Sequence, residues 1–452
     1  MAAAVLSLTA CTTTLSGAAS HANGARSDVS DAEFTVNLAG DSETDVISRN
    51  ALADVADYWA ITYPEVFGED YRPLEGGFWS IDPDETDPQD LPNSSCFDDL
   101  AGLAENAYYC PGDDAIYFDR AWMTGLAEDF GTFVIAEIMA HEMAHAVQSR
   151  ANIDDVDSIV AETQAECFAG GWSGWVSEGN AKHVSLRAPE LDPYLLGYLV
   201  FGDPVGYDPT DSVAHGSFFD QASAFQEGFA DGPHACADNV NAGRLYTEEE
   251  FTAAERANRG NLPYVESLPL AGQTLETFWD QAFGAGFDGS RPFEGDFVPP
   301  TLTGFDSDQP ACAGRSQDRD LDYCAEDDSV RFDEADLLKV VHQEVGDFAM
   351  DTLLSIPYAL SAREQLGLST DGASAAASAV CLTGWFTREL YDGKVSGSPE
   401  AVSPGDVDEA VIVLLEYATK PSVLPDVGLS GFELVDLFRR GFVTGSASCQ
   451  LR

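Results

Sequence analysis

The clearest hydrophobic pattern lies in residues 131–150, GTFVIAEIMAHEMAHAVQSR, which are apolar nearly all round. Helix-forming content without a polar face predicts a helix buried in a core. Residues 158–176, SIVAETQAECFAGGWSGWV, read as a second helix. Upstream, the run AIYF (115–118) reads as a strand, expected at a sheet edge where an extended peptide can align by backbone hydrogen bonds. Charges, Gly or Pro interrupt every other apolar run short of the roughly 18 residues a membrane span requires.

The pattern then recurs. Setting Cys11 aside, eight cysteines remain: Cys96, Cys110, Cys167 and Cys236, then Cys312, Cys324, Cys381 and Cys449, with gaps of 14, 57 and 69 against 12, 57 and 68. Their surroundings match as well. AYYCPGDDAIYFDRA (107–121) lies over DLDYCAEDDSVRFDEA (320–335), and FDQASAFQEGFADGPHAC (219–236) over FELVDLFRRGFVTGSASC (432–449). Similarity this extended predicts two copies of one domain, at 45–245 and 270–452, joined by a connection over 246–269. Four cysteines per copy allow three connectivities. The shared spacing favours Cys96–Cys110 and Cys167–Cys236, with Cys312–Cys324 and Cys381–Cys449 as their counterparts. The short bridge would clamp a hairpin, and the long one would tie a helix to the end of its domain.

Composition narrows the class. With 452 residues, two or three domains are expected, and 44% hydrophobic residues suffice for real cores. The formal charge of −56 excludes nucleic acid held by a basic surface and argues against charge-driven docking on anionic lipid. Residues 1–27 read as a lipoprotein signal and tether. Leu8-Thr9-Ala10-Cys11 resembles a lipobox, which would make Cys11 the lipidated first residue of the mature chain; the alternative is secretory cleavage after Ser20-His21-Ala22. Either way the chain is expected outside the cytoplasm, secreted or lipid-anchored to the outer face of the membrane. An even set of eight cysteines agrees with an oxidising compartment.

The chemistry falls in the first copy. His141-Glu142-Met143-Ala144-His145 is an HExxH motif inside the apolar helix. Residues at i and i+4 share a face, so His141 and His145 can meet one metal, and Glu142 can reach a metal-activated water as general base. Zinc needs a third protein ligand. Glu162 on the next helix is expected to supply it, with Glu166, one turn on, accepting a hydrogen bond from a ligating imidazole. One zinc ion per chain is thus expected.

HEMAHAVQ, followed by ETQAECFAGGW and preceded by YYCPGDDAIYFD, resembles the bacterial neutral zinc metallopeptidases. The resemblance covers most of residues 90–236 and implies an α+β, zincin-like domain of the gluzincin kind, with Glu as third ligand. This chain has Glu166 where the family usually has Asp. It has His215-Gly216-Ser217 at the family's HG-Ser/Thr element, but Gln221 near the place of an Arg. By resemblance, His215 steadies the oxyanion of the tetrahedral intermediate; Tyr109 and Tyr117 are further donor candidates, for which strand packing is the plainer reading.

The second copy has lost this motif. Aligning Gly131-Thr132-Phe133 with Gly346-Asp347-Phe348 puts Ile356-Pro357-Tyr358-Ala359-Leu360 in the place of HEMAH, and Ala376 stands for Glu162. Pro357 is expected to disturb the helix. The sequence therefore predicts a zinc peptidase acting on a peptide or protein substrate, followed by a degenerate repeat that caps the cleft or binds a partner. The competing reading is a cell-surface binding or assembly lipoprotein with a vestigial or structural zinc site.

Overall fold

The computed structural model describes residues 26, 28–153, 156–239, 243–306, 308–313, 318–424 and 428–451. Cys11, the expected lipidation site, lies outside them. Ser42 opens the first helix: its side chain accepts the Asp45 N–H, and α1 (Glu43–Phe67) stops at Gly68, whose φ of 77° is left-handed. A three-stranded sheet follows, made of β1 (Gly77–Ile81), β2 (Ala107–Cys110) and β3 (Ala115–Asp119) in the order β1-β3-β2. β1 runs parallel to β3; β2 runs antiparallel to it, pairing Tyr109 with Ile116 and Cys110 with Ala115. The AIYF strand is therefore central, not the expected edge. Its unbroken apolar run marks a strand buried on both faces; the edges belong to β1 and β2.

Helices complete the first half: α2 (Arg120–Phe130), α3 (Phe133–Arg150), α4 (Ser158–Ser177), α5 (Ala188–Phe201), α6 (Phe218–Asp231) and α7 (Pro233–Asn239). α3 has no side-chain cap at its start. Burial of Val134, Ala136, Met139, Ala140, Met143 and Val147 holds it instead, against α1 and α4.

The second half runs through α8 (Tyr264–Phe283), β4 (Thr301–Phe305), β5 (Leu321–Cys324), β6 (Ser329–Asp333), α9 (Lys339–Glu344), α10 (Asp347–Gln365), α11 (Ala373–Tyr391), α12 (Asp406–Glu416) and α13 (Gly431–Thr444). Its sheet has the order β4-β6-β5, again one parallel and one antiparallel pairing. The described residues are thus an α+β chain, and none of their helices is long and apolar enough to cross a membrane.

Two local rules explain much of the packing. α4 lies against α6, and α11 against α13, at Gly228 and Gly441. A Cβ at Gly228 would collide with the Cys167 carbonyl oxygen, and one at Gly441 with that of Cys381. The matching Gly-Phe pairs in the sequence are therefore helix contacts that only glycine permits. Four disulfides pair as the spacing favoured: Cys96–Cys110, Cys167–Cys236, Cys312–Cys324 and Cys381–Cys449. The first ties the loop before β2 to the last residue of β2, and the second ties α4 to α7. Four bridges in one chain indicate an oxidising compartment, outside the cytoplasm.

Pro357 does not break α10, which continues unbroken from Asp347 to Gln365. Leu353, Leu354 and Ile356 around it are all buried. Burying each such large side chain contributes roughly 1.5–3 kcal/mol, which outweighs the roughly 3 kcal/mol interior cost of one proline.

The halves meet reciprocally. Asp408 of α12 accepts the Phe219 N–H at the start of α6 (2.8 Å), and Asp192 of α5 accepts the Phe432 N–H at the start of α13 (2.7 Å). Phe219 packs on Phe438 and Phe442, while Phe432 packs on Phe225 and Phe229. One continuous apolar core runs through both halves.

Candidate metal and catalytic site

α3 and α4 pack side by side and turn a matched pair of faces toward each other. His141 and His145 lie one turn apart on α3; Glu162 and Glu166 lie one turn apart on α4. His145 Nε2 is 3.0 Å from His141 Nε2 and 3.2 Å from Glu162 Oε2, and His141 Nε2 is 3.2 Å from that same oxygen. The outer ring nitrogens are engaged on the far side. His141 Nδ1 lies 2.8 Å from Glu166 Oε1, and His145 Nδ1 lies 2.8 Å from Gln148 Oε1. The Gln148 amide has no freedom to flip, because its Nε2 donates to the Ala161 carbonyl and to Gln164 Oε1.

This arrangement decides the tautomers. Each Nδ1 carries a proton toward its acceptor, so each Nε2 lone pair points inward. Two lone pairs and a carboxylate oxygen crowded this closely repel unless a cation sits among them. A proton is one such cation. Burial works to lower His141, but Glu166 and Glu162 outweigh it and hold the imidazole well above its ordinary value. Burial works to raise Glu162, but His145 and His141 outweigh it and hold its carboxyl well below the usual range. Zinc is the other. Ligands at about 2.0–2.2 Å in tetrahedral array stand about 3.3–3.5 Å apart, close to the separations observed. The two imidazoles and one carboxylate fit that ion.

Glu142 points to the same cleft. It is buried, and its Oε2 accepts the backbone N–H of Tyr109 on the edge strand at 2.7 Å. Burial pushes its carboxyl up, opposed by the imidazoles of His141 and His145. All the sequence-predicted site residues, His141, Glu142, His145, Glu162, Glu166 and His215, line one cleft of about 620 Å³. Residues 106–109, at the start of β2, form part of its wall.

His215 is exposed at the rim, with Nδ1 3.5 Å from Asp203 Oδ1. The Asp203 carboxylate also accepts the backbone N–H groups of His215 and Gly216. Its hydrogen bond to the ring raises the His215 pKa against the effect of burial. Gln221, near the family's Arg position, lines the cleft wall and turns its amide toward the Gly216 carbonyl at 3.4 Å. Tyr117 is remote: its hydroxyl donates to Asp113, and its ring is in a small core beneath the sheet. Tyr109 gives the cleft its main-chain N–H, while its hydroxyl donates to Asp114.

Sequence reasoning missed Gln148, Tyr198 and Asp203. Tyr198 donates to Glu166 Oε2 at 2.6 Å and is itself bonded to Tyr194 one turn earlier. The i, i+4 tyrosine pair in the otherwise aliphatic α5 was the available signal, because buried hydroxyls need partners. Asp203 lies in a loop and left no pattern.

No family model matches the chain, and no solved structure matches it. The uncharacterized protein YpfJ of Escherichia coli (strain K12) is 27% identical over 152 residues, 28% of this chain and 52% of that protein. The uncharacterized proteins Mb2605 of Mycobacterium bovis and Rv2575 of Mycobacterium tuberculosis are each 26% identical over 166 residues, 30% of this chain and 56% of theirs. The chain thus spans about half the length of the curated relatives it matches.

Proposed function

We propose that the chain is a zinc-dependent peptidase, secreted or anchored through Cys11, whose chemistry lies in a zincin-like domain over residues 45–245. One observation carries this reading: His141 Nε2, His145 Nε2 and Glu162 Oε2 converge at 3.0–3.2 Å beside a buried Glu142, in an open cleft. Zinc held by these three would acidify a water and polarise a scissile carbonyl. A purely structural zinc site is closed by a fourth Cys or His and has no use for a base. Here the cysteines of this half are all in disulfides.

The chain's own groups account for the rest. The Tyr109 N–H anchors one oxygen of Glu142 and fixes its rotamer, so the carboxylate takes the water's proton and later gives it to the leaving amine. Asp203 raises the His215 pKa at the rim, and the protonated ring donates to the carbonyl oxygen as negative charge grows on it. Glu166 and Gln148 hold the two imidazoles in their ligating tautomers.

Residues 270–452 are then a degenerate duplicate. The repeated sheet order, the repeated disulfides and the reciprocal junction support this. Ile356, Leu360 and Ala376, aligned with His141, His145 and Glu162, line a smaller hollow of about 210 Å³. Such a repeat, without the three ligand-type side chains, can bind a partner or cap the cleft.

The test is zinc content by elemental analysis of the mature chain and of Glu142→Gln, alongside cleavage of an unstructured casein-like protein. One zinc in both with cleavage only by the parent supports the proposal. A parent that holds no zinc removes the metal site and leaves a surface binding protein. One zinc in both without cleavage in either leaves a vestigial site.

A further inference from the structure

A second group of ligand-type side chains lies in the other half, and it contains only oxygen donors. Asp347 starts α10, Asp406 starts α12, and Glu409 follows one turn on. One oxygen from each lies within 4.8 Å of the others. All three are buried, at 9%, 5% and 8% exposure.

Two more carboxylates join them. Glu400, in the loop before α12, accepts the Thr274 hydroxyl at 2.6 Å. Asp351, one turn along α10 from Asp347, is 3% exposed, and its Oδ1 has no hydrogen-bond partner. The Asp351 carboxyl stands against that of Glu400, and the strongest charges acting on it are Glu400, Asp347 and Asp406, with no donor for its Oδ1. A buried acceptor left unmade costs roughly 1–3 kcal/mol; here it points at a missing partner.

The main chain fixes the three ligand-type carboxylates. Asp347 Oδ2 accepts the Leu262 N–H, Asp406 Oδ2 the Ser403 N–H, and Glu409 Oε2 the N–H groups of Phe348 and Ala349. Each therefore has an oxygen fixed by the backbone, and the Asn261 side chain bonds Glu409 as well. No guanidinium or ammonium is among the strongest charges on the five. They act on one another, with His342 beside Asp347 as the one imidazole. The first half has no counterpart, since Thr132 aligns with Asp347.

We propose that Asp347, Asp406 and Glu409 form a calcium site, with the carboxyls of Asp351 and Glu400 beside it. An all-oxygen set suits a hard cation. Calcium takes six to eight oxygens at about 2.3–2.6 Å in loose geometry, so ligand pairs up to about 5 Å apart are accommodated; magnesium demands near-octahedral geometry at about 2.1 Å and keeps its waters. A cleft of about 610 Å³ reaches Glu409 and Asn261 from the surface and gives the ion a path in. Tyr198 and Val200 of α5 line that same cleft and also the candidate active site. Calcium would thus tie the connection between the halves to α10 and α12.

The test is calorimetric titration of the full, EGTA-washed chain with CaCl2 in excess MgCl2, with thermal melts alongside. Asp347→Asn and Glu409→Gln keep the oxygen that accepts the backbone N–H and remove a repelling charge, so both should fold. One calcium per chain, bound at least tenfold more weakly by both variants and undiminished in Glu162→Ala, is expected, with a calcium-dependent rise in Tm only where binding persists. No calcium uptake by the parent overturns the proposal. So does uptake unchanged in both variants, or uptake lost in Glu162→Ala, which would assign the ion to the histidine cleft.

Discussion

Glu166 Oε1 lies 2.8 Å from His141 Nδ1, and the Tyr198 hydroxyl closes on the other oxygen of the same carboxylate at 2.6 Å. The longer side chain, where the resembling family usually has Asp, thus still reaches its imidazole, and Tyr198 takes up the second oxygen. Partners of this kind fix ring orientation and are worth about 10–100-fold in metal affinity. Glu166→Ala should weaken zinc binding by about that factor, and Tyr198→Phe by less, as read by competition with a chromogenic chelator. Affinity unchanged in Glu166→Ala would mean that His141 needs no support.

Asp203 acts through His215. Its hydrogen bond is the largest influence raising the pKa of that imidazole. Asp203→Asn lowers the His215 pKa, so the alkaline limb of the activity profile should move to lower pH. Loss of one donor to an oxyanion costs about 10²–10³ in kcat, and His215→Ala should approach this with KM little altered. A profile of kcat and KM against pH for the parent and both variants checks it. If His215→Ala keeps parental kcat, the ring is a bystander at the rim.

Glu248 carries a stability prediction with a definite sign. Burial, then Asp203 and Asp220, pushes its carboxyl up to about 8. In the unfolded chain it ionises near its ordinary value, about 4.3. Between those values the native state holds a proton that the unfolded state has released. This group therefore favours the fold fully at acid pH, and its contribution is lost as pH rises through about 8. Glu248→Gln should flatten the fall in Tm between pH 5 and about 8.5 and raise Tm at the alkaline end. A parallel pair of Tm–pH curves would remove Glu248 as the source.

The convergence of His141, His145, Glu162 and Glu166 was legible in the sequence because helical spacing does the work: i and i+4 on α3 and again on α4 put four side chains on facing surfaces. The disulfide pairing was legible because the two halves of the sequence carry one cysteine spacing. The edge strand was misread because a buried strand's apolar run does not say how many neighbours it has. Pro357 was misread because local propensity is a weak prior against a helix buried on nearly every side. Asp203 and the Asp347 cluster were not legible at all. Their members come from loops and helix starts far apart in the chain, where an acidic residue looks like any other in a chain with 78 of them.

The junction supplies the last prediction. Asp192 accepts the N–H groups of Gly431 and Phe432, and Asp408 accepts that of Phe219, so each half caps a helix of the other. Losing an N-cap acceptor costs about 0.5–2 kcal/mol. Asp192→Ala and Asp408→Ala should each lower Tm, while Asp192→Asn, which keeps one of the two accepting oxygens and turns an amide NH2 toward the other N–H, should recover only part of the loss. Because the capped helices also bury Phe219 and Phe432 in the opposite half, the halves should melt together. Calorimetry should therefore show one transition in the parent and in each variant, with its midpoint shifted but not split. Two transitions in the parent would show that the halves fold independently and that the caps only decorate their contact.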